Sequence, residues 1–235
     1  MNLLLVSPQE IDDQGCVLLT DRRHQHITTV HRLSKGSTLQ AGVLNGLCGE
    51  ATIIEQRSEA TRIQLNLYRK PPSALPVTLL LALPRPRMLA RSLEHLSTLG
   101  VKKIILMHTA RVEKSYWQSP ELKPEKIHQH LILGLEQAKD TALPEVLFKP
   151  LFKPFVEDEL ASLAANSYKL VAHPGDYPVC PRGINEQLTL AIGPEGGFVD
   201  FEIQLLEAEG FQVVQMGERI LRVETAVTAL LARLF

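Results

Sequence analysis

Apolar and polar residues alternate along short runs in the first third of the chain, a period of two that is typical of half-buried β-strands. Asn45-Gly46 offers a tight turn between two of these runs. A helical stretch, about residues 23–33, interrupts them. The runs predicted as strands are residues 15–19, 37–41, 50–55 and 61–67. The pattern therefore predicts a small β-barrel for residues 1–72.

The pattern changes at Lys70-Pro71-Pro72-Ser73, where two prolines can continue neither a helix nor a sheet ladder. Beyond it, apolar strand-like runs take turns with amphipathic helical stretches, two of which end at Gly100 and Gly210. We predict strands at residues 77–83, 104–107, 169–172, 188–192 and 213–216, and helices at 87–99, 124–139, 200–209 and 224–234. This alternation predicts an α/β domain over residues 73–235, with a mainly parallel sheet and helices on both faces.

The composition is that of an ordinary globular protein, with 45% hydrophobic and 22% charged residues in 235. No apolar run approaches the ~18 residues of a membrane span, and the first residues lack the basic region of a signal peptide. Cys16, Cys48 and Cys180 are odd in number and far apart. This spacing suits a reducing compartment and argues against a disulfide or zinc framework. We expect a cytoplasmic protein with no membrane partner.

The net charge is only −1, but the charges are unevenly distributed. Residues 73–153 hold twelve Lys/Arg against seven Asp/Glu, whereas residues 154–235 hold five against twelve. An anionic polymer would therefore meet mainly the middle segment, helped by a local cluster in the first. Ordinary solvated surfaces remain the alternative. The first cluster is Arg22, Arg23, His26, Arg32 and Lys35, and the middle one is Arg85, Arg87, Arg91, Lys102, Lys103, Arg111 and Lys114.

Two polar loops marked by glycines, residues 193–198 and 217–226, each follow an apolar run and lead into a helical pattern. Ligands of open α/β sheets bind at the carboxyl ends of strands, so these loops resemble two walls of one pocket. Glycines let backbone amides approach a ligand, but Glu195 would repel a phosphate. The phosphate-binding patterns Gly-x-x-x-x-Gly-Lys and Gly-x-Gly-x-x-Gly are absent. A phosphate-free ligand with an adenine and a positive centre, such as S-adenosylmethionine, fits better.

Purely structural interpretations of both loops stay open at this point. The first loop could be a simple tight turn, and Glu224 and Thr225 suit the first turn of any helix. Tyr116 and Trp117 could stack on a base or serve as packing residues. His24-x-His26 and His128-x-His130 suggest a metal site, but residues two apart on a helix do not face each other, so we expect no metal.

The residues of both loops resemble the two signatures of the RsmE family of SPOUT methyltransferases, which methylate uridine at N3 in 16S ribosomal RNA. The run Ile192-Gly-Pro-Glu-Gly-Gly-Phe198 is similar to the first signature, and Gly217-x-Arg219-Ile220-Leu221-Arg222-x-Glu224-Thr225-Ala226 to the second. The resemblance implies a PUA-like RNA-binding β-barrel in residues 1–72. It also implies a SPOUT domain in residues 73–235, with a deep trefoil knot at its C-terminus, and a homodimer.

The same resemblance implies the residues of the cofactor pocket, and the chemistry of the reaction suggests the others. The pocket for S-adenosylmethionine would comprise His173, Ile192, Gly193, Gly197, Met216, Gly217, Ile220, Leu221 and Arg222. Removing the proton from N3 leaves negative charge on the uridine, which Arg222 and Arg219 could offset, and Glu195 could orient the base or take the proton. Ribosomal RNA, free or in a ribosomal subunit, would contact Arg22, Arg23, His26, Arg32 and Lys35 through its phosphates.

The chain also departs from the family pattern. Glu94-His95 replaces a Gln-Lys pair, Asp140 replaces an arginine, and Val199 replaces a helix-capping serine. The charged changes are expected to face RNA or the catalytic centre. Three functions follow: methylation of 16S ribosomal RNA, methylation of another RNA, or RNA binding or assembly without catalysis. The intact loops argue against the third.

Overall fold

The computed structural model describes residues 2–235, which form two compact units. One unit holds the residues up to Ser73 together with Leu131–Leu143, and the other holds Ala74–His130 and Pro144–Phe235. The first unit thus takes a segment from well beyond residue 72. Within residues 2–235, no helix combines the length and the apolar character needed to cross a membrane.

The first unit is built on a five-stranded sheet in the order β1-β3-β4-β5-β2, in which β1 pairs parallel to β3 and all other pairs are antiparallel. The strands are β1 Leu4–Val6, β2 Cys16–Leu19, β3 Thr38–Val43, β4 Cys48–Gln56 and β5 Thr61–Arg69. Asn45, at a left-handed φ of 59°, lies in the tight turn between β3 and β4, as its sequence predicts. The four strands predicted from alternation are therefore present.

Strand β1 was not predicted, because its residues are apolar without alternation. Leu4 and Val6 pack into the main core of the sheet, while Leu3 and Leu5 pack with Leu135 of the added segment. Both faces of β1 are therefore buried, and a strand buried on both faces loses the period of two. This second cluster also explains why Leu131–Leu143 belongs to the first unit.

The predicted helix near residues 23–33 is shorter and less regular than expected. It consists of α1, Arg22–Gln25, followed by a π-helical turn over His26–Val30. The Asp21 side chain caps its start by accepting the Arg23 N–H at 2.9 Å.

The second unit contains a six-stranded sheet, parallel throughout, in the order β11-β9-β10-β6-β7-β8. Its strands are β6 Val77–Ala82, β7 Lys103–Met107, β8 Glu145–Lys149, β9 Tyr168–Ala172, β10 Leu188–Ile192 and β11 Gln212–Val214. Every residue of β6 and β10 is buried, so the central strands are covered on both faces. This confirms the prediction of a mixed α/β fold with a parallel sheet.

Helices alternate with these strands. They are α2 Pro86–Thr98, α3 Pro124–Ala138, α4 Phe152–Pro154, α5 Ala161–Leu163, α6 Asp200–Ala208 and α7 Val223–Leu234, and a π-helical segment, Phe155–Leu160, joins α4 to α5. Helix α3 belongs to the second unit only as far as His130, because its later residues are part of the first unit. The helices predicted for this unit all occur, with ends displaced by at most one residue. The helical stretch from residue 152 to 163 was missed because Pro154 argues against a helix, although proline is tolerated in a first turn.

Strand β8 was also missed. It pairs only with β7 at the edge of the sheet, and charged Glu145 and Lys149 stand at its two ends. Such charges protect an exposed edge from further pairing, but they also dilute the apolar signal of the strand.

Candidate functional site

Three neighbouring strands, β9, β10 and β11, end at one pocket in the second unit, and the start of α7 closes it. Because the strands are parallel, their carboxyl ends meet at the same edge, where ligands of α/β sheets bind. The pocket has about 670 Å³ of empty space, counted out to its open mouth. Its lining is Ala172, His173, Pro174, Ile192, Gly193, Pro194, Glu195, Gly197, Val214, Gln215, Met216, Gly217, Arg219, Ile220, Leu221, Val223, Ala226 and Leu230.

The pocket brings together most of the residues expected from the sequence. Of the expected cofactor residues, His173, Ile192, Gly193, Gly197, Met216, Gly217, Ile220 and Leu221 all line it, and so do Glu195 and Arg219 of the expected catalytic set. Arg222 does not line it; this residue is the exposed N-cap of α7. The sequence reasoning missed Val223, Ala226 and Leu230, although their helical spacing along α7 is a signal that could have found them.

The first loop, residues 193–198, lines the pocket through glycines, so no side chain separates its backbone from the pocket there. Gly197 has a left-handed φ of +74° and donates its N–H to the Pro194 carbonyl at 2.8 Å, which closes a turn. A Cβ at Gly197 would lie 3.2 Å from Cε1 of His173, and one at Gly193 would lie 3.0 Å from the ring of Phe198. Phe198 is buried and packs at 6.2 Å from the Phe152 ring, which anchors the loop in the core. Glycine is thus required here for both conformation and space.

Two arginines hold this loop from outside. The Arg111 guanidinium donates to the Gly196 carbonyl, and its Cδ would lie 2.9 Å from a Cβ at Gly196. Arg85, the N-cap of α2, has its Nε 3.7 Å from Oε1 of Glu195. Both arginines come from the cluster that the sequence assigned to RNA contact, so the cluster reaches the pocket.

His173 is the unsatisfied polar group of the pocket. Its Nδ1 is buried and has no hydrogen-bond partner within residues 2–235. Burial lowers the pKa of this imidazole below its ordinary value of 6.5, the positive charge of Arg111 lowers it further, and Asp200 opposes them. A buried polar atom without a partner costs free energy, so a ligand that pairs with it is favoured.

The lowered pKa of His173 predicts a pH-dependent stability. The unfolded chain takes up a proton near the ordinary pKa, whereas the folded chain resists it until a lower pH, so stability falls as pH decreases below about 6.5. Denaturant unfolding from about pH 7.5 to about pH 5.5 is expected to show a steeper loss for the wild type than for His173→Asn. If the unfolding free energy of the two proteins changed equally with pH, the lowered pKa of His173 would be contradicted.

The second loop presents polar and apolar groups at the mouth of the pocket. Gly217 has a left-handed φ of +112°, and its N–H is accepted by the Gln215 side chain. Arg219 is exposed, and Ile220 is 79% exposed although it is a large apolar residue. Both side chains therefore stand at the open side of the pocket.

The five residues of the first unit that were expected to contact phosphates fall into two groups, some paired with carboxylates and the others not. Arg22 makes a bidentate pair with the buried Glu136, with N–O distances of 3.0 and 2.7 Å. Arg23 pairs with Glu10 and Asp21, and only 11% of its side chain is exposed. The side chains of Arg32 and Lys35 are exposed, and His26 is half-buried, with its ring 4.7 Å from that of His31. Burial, together with the nearby positive charges, lowers the pKa of His26.

Removing Arg22 is expected to destabilise the first unit. Arg22→Ala would leave the buried Glu136 carboxylate without its partner and cost about 2 kcal/mol in unfolding free energy. Arg57→Ala is the matched control, because Arg57 and its partner Glu55 are both largely exposed, and it should cost about 0.5 kcal/mol or less. Denaturant unfolding of both variants measures the difference; equal losses would mean that the buried pair has no special role.

The charged departures from the family pattern do not face the pocket. Asp140 is 3% exposed, and its carboxylate accepts the Ala142 N–H at 2.9 Å. The expectation that it faces RNA or the catalytic centre is therefore wrong, because it is buried within the first unit. Glu94 accepts from Nδ1 of His130 at 2.9 Å, and Glu121 lies 3.0 Å from Nε2 of the same ring.

The remaining candidates have structural partners. His24 is buried between the Thr61 hydroxyl and the Ser58 carbonyl, at 2.8 and 3.2 Å. Trp117 donates to Nδ1 of His108 at 2.9 Å. Across residues 2–235, no three histidine, cysteine, aspartate or glutamate side chains are grouped as metal ligands.

The fold and the pocket agree with the relatives of the chain. A family model described as an RNA methyltransferase domain matches residues 71–235. A protein of Treponema pallidum named ribosomal RNA small subunit methyltransferase E is 33% identical over 97% of this chain and 88% of its own length. One of the same name from Synechocystis is 32% identical over 98% of this chain and 76% of its own.

Solved structures share the whole fold. The ribosomal RNA small subunit methyltransferase E of Neisseria gonorrhoeae, bound to S-adenosylmethionine, superposes with a TM-score of 0.75 at 20% identity, over 99% of this chain and 95% of that one. A Legionella pneumophila methyltransferase in complex with the same cofactor gives 0.72 at 24% identity, over 98% and 94%.

The fold and the pocket thus define the class of S-adenosylmethionine-dependent RNA methyltransferases. Within that class, the chain belongs to the ribosomal RNA small subunit methyltransferase E family.

Proposed function

We propose that this enzyme methylates N3 of a uridine in 16S ribosomal RNA. The observation that carries the proposal is the pocket at the ends of β9, β10 and β11, with a backbone cradle at Gly193 and Gly197 and an unpaired Nδ1 on His173. A phosphate-free cofactor that contacts backbone suits this pocket, because Glu195 stands at its rim. The names of the Treponema and Synechocystis relatives supply the substrate class.

The residues fit S-adenosylmethionine, which when bound supplies an electrophilic methyl group on a positively charged sulfur. We assign its binding to His173, Ile192, Gly193, Gly197, Met216, Gly217, Ile220 and Leu221, with Arg222 nearby at the start of α7. His173 stays neutral near pH 7 because its pKa is lowered, so it adds no positive charge that would repel the sulfonium. The unpaired Nδ1 provides one hydrogen-bonding position for the cofactor.

On the acceptor side, the uridine must be unpaired or flipped out of its helix to enter the pocket. Loss of the N3 proton leaves negative charge on the base. We propose that Arg219 at the mouth and Arg222 at the N-cap of α7 offset this charge. In the same proposal, Glu195 orients the base or accepts the proton. Holding the nitrogen in line with the methyl group contributes up to about 7–11 kcal/mol of the barrier in ideal cases.

The first unit serves RNA binding in this proposal. Its five-stranded order with a shared core suits a PUA-like barrel, corresponding to residues 1–72, and residues 73–235 form the SPOUT domain. Arg32 and Lys35 are exposed and suited to phosphate contact, and His26 is half-buried beside them. Arg22 and Arg23 are engaged by carboxylates, so the proposed contact surface does not include them.

We further propose that the C-terminus threads a trefoil knot and that the enzyme is a homodimer. The carbonyl of Leu234 accepts the Ile184 N–H at 2.6 Å, and Nε of Arg233 donates to the Cys180 carbonyl at 2.6 Å, so the end of α7 is tied to the segment after β9. The exposed Ile220 suits a contact with a second copy. Sedimentation velocity should then give about twice the 26.2 kDa of the chain.

A complementation experiment tests the proposed reaction. The gene is expressed in a bacterium deleted for its own ribosomal RNA small subunit methyltransferase E, and the 16S ribosomal RNA is digested and examined by mass spectrometry. We expect N3-methyluridine to be restored. If the protein folds and binds S-adenosylmethionine but the 16S ribosomal RNA still lacks N3-methyluridine, the enzyme acts on another RNA target. Because Asp140 is buried, that alternative has lost one of its motivations. The reaction on ribosomal RNA also implies a cytoplasmic protein.

A further inference from the structure

A second pocket opens on the same edge of the parallel sheet. It is formed after β7 by His108, Thr109 and Ala110, after β8 by residues 150–154, and at the start of α6 by Val199, Phe201 and Glu202. It has about 630 Å³ of empty space out to its open mouth. The loop over residues 193–198 leads from the cofactor pocket directly into α6, so the two pockets flank this loop. Only β6 separates β7 from β10 in the sheet. Because neighbouring strands lie about 4.8 Å apart, the ends of β7 and β10 are about 10 Å apart.

The second pocket contains an unsatisfied polar group, as the cofactor pocket does. Thr109 is 1% exposed, and its Oγ1 has no hydrogen-bond partner within the part of the chain that the structure describes. Residues 2–235 contain one other such side-chain atom, Nδ1 of His173. A buried hydroxyl without a partner is costly, and a ligand that pairs with it removes the cost.

His108 adds a hydrogen-bond donor, because the ring nitrogen that carries its proton can be assigned. The indole N–H of Trp117 can only donate, so Nδ1 of His108, 2.9 Å away, must accept. The neutral ring therefore carries its proton on Nε2, which makes no hydrogen bond within residues 2–235. The pocket thus offers one N–H donor and one hydroxyl.

The rest of the lining is apolar and positively charged. Phe201 is 52% exposed and Leu151 is 66% exposed, so flat apolar surface is available at the mouth. Lys153 stands at the rim, with its side chain 58% exposed and its Nζ 3.5 Å from Oε1 of Glu157. An ion pair exposed in this way contributes little stability, so a phosphate can compete with Glu157 for the ammonium. The acidic group, Glu202, is already engaged, because its carboxylate accepts the Ala110 N–H at 2.7 Å and the Val199 N–H at 3.0 Å. This second bond also serves the N-terminus of α6, where Val199 has no capping side chain.

We propose that the second pocket binds the base of an unpaired nucleotide that neighbours the methylated one in the RNA. This inference rests on the proposed function. A base stacks on Phe201, its edge pairs with the Thr109 hydroxyl and Nε2–H of His108, and its phosphate lies near Lys153. Stacking of bases on aromatic side chains beside positive charge is the usual way in which proteins bind single-stranded RNA.

Methyl NMR tests the site directly. The protein, saturated with S-adenosylmethionine, carries labelled threonine and alanine methyl groups and is titrated with the four nucleoside 5′-monophosphates. We expect the Thr109 and Ala110 methyl resonances to shift with at least one nucleotide, and Phe201→Ala to abolish the shift. Unchanged resonances with all four nucleotides at millimolar concentration would overturn the proposal.

Methylation kinetics provide a second test of the proposed nucleotide site. Phe201→Ala should raise the KM for small-subunit particles about five- to a hundredfold, as expected for loss of one stacked base, without changing the Kd for S-adenosylmethionine. Val179→Ala, which also trims an exposed apolar side chain, is the control and should behave as the wild type. A wild-type KM for Phe201→Ala would overturn the proposal, and so would conversion of a dimer to monomers by this substitution, because the pocket would then be a protein interface.

The proposed function and this inference fail differently. If the wild type methylates its particles while Phe201→Ala keeps the wild-type KM, the inference fails alone. If the wild type makes no N3-methyluridine, the proposed function fails, and the nucleotide titration still decides whether the pocket binds nucleotides.

Discussion

Replacing Gly197 by alanine is expected to lower the affinity for S-adenosylmethionine at least about tenfold. An L-residue in the left-handed region costs about 1–2 kcal/mol, and Gly197 has a φ of +74°. In addition, the new Cβ would lie 3.2 Å from Cε1 of His173, so the imidazole would be displaced in the pocket wall. Strain and displacement act on the same loop, and a tenfold loss corresponds to about 1.4 kcal/mol.

Gly183→Ala separates the two effects. Gly183 also has a left-handed φ, +63°, but a Cβ there would meet nothing within 4 Å, and the residue does not line the pocket. This control should lose about 1 kcal/mol of stability and keep the wild-type Kd. Calorimetry with S-adenosylmethionine and denaturant unfolding of both variants provide the comparison. A Gly197→Ala protein that binds the cofactor like the wild type would show that the loop does not form the site.

Arg222→Ala is expected to slow methyl transfer about 100- to 1000-fold, the loss seen when one group that stabilises transition-state charge is removed. The Kd for S-adenosylmethionine should change by no more than about threefold, because Arg222 is exposed at the N-cap of α7 and does not line the pocket. The guanidinium would then act on the negative charge of the uridine and not on the cofactor.

Arg182→Ala is the control for the loss of one positive charge, since Arg182 is exposed in the same unit and outside the pocket. Single-turnover methylation with small-subunit particles gives the rate, and calorimetry gives the Kd. Parallel losses of rate and cofactor affinity in Arg222→Ala would show that this residue serves binding instead of catalysis.

The sequence was sufficient to predict those parts of the structure that local chemistry determines. Alternation revealed β2, β3, β4 and β5, and apolar runs revealed most of the parallel sheet. The pocket loops were recognisable because Gly193, Gly197 and Gly217 mark backbone that approaches a ligand, and the structure assembles them around one cavity.

The rest depended on contacts between distant residues, which a single sequence does not display. The apolar run of β1 lacks a period because both of its faces are buried, one against a segment beyond residue 130. The partner of Arg22 is Glu136, more than a hundred residues away, so this arginine resembled a free cation. The unpaired atoms of His173 and Thr109 are visible only once burial is known.

A crystal structure of the protein grown with S-adenosylmethionine tests the central claim most directly. We expect the cofactor in the pocket at the carboxyl ends of β9, β10 and β11, against the backbone of Gly193 and Gly197, with a hydrogen bond to Nδ1 of His173. The cofactor bound at any other place, or this pocket empty at saturating concentration, would contradict the account.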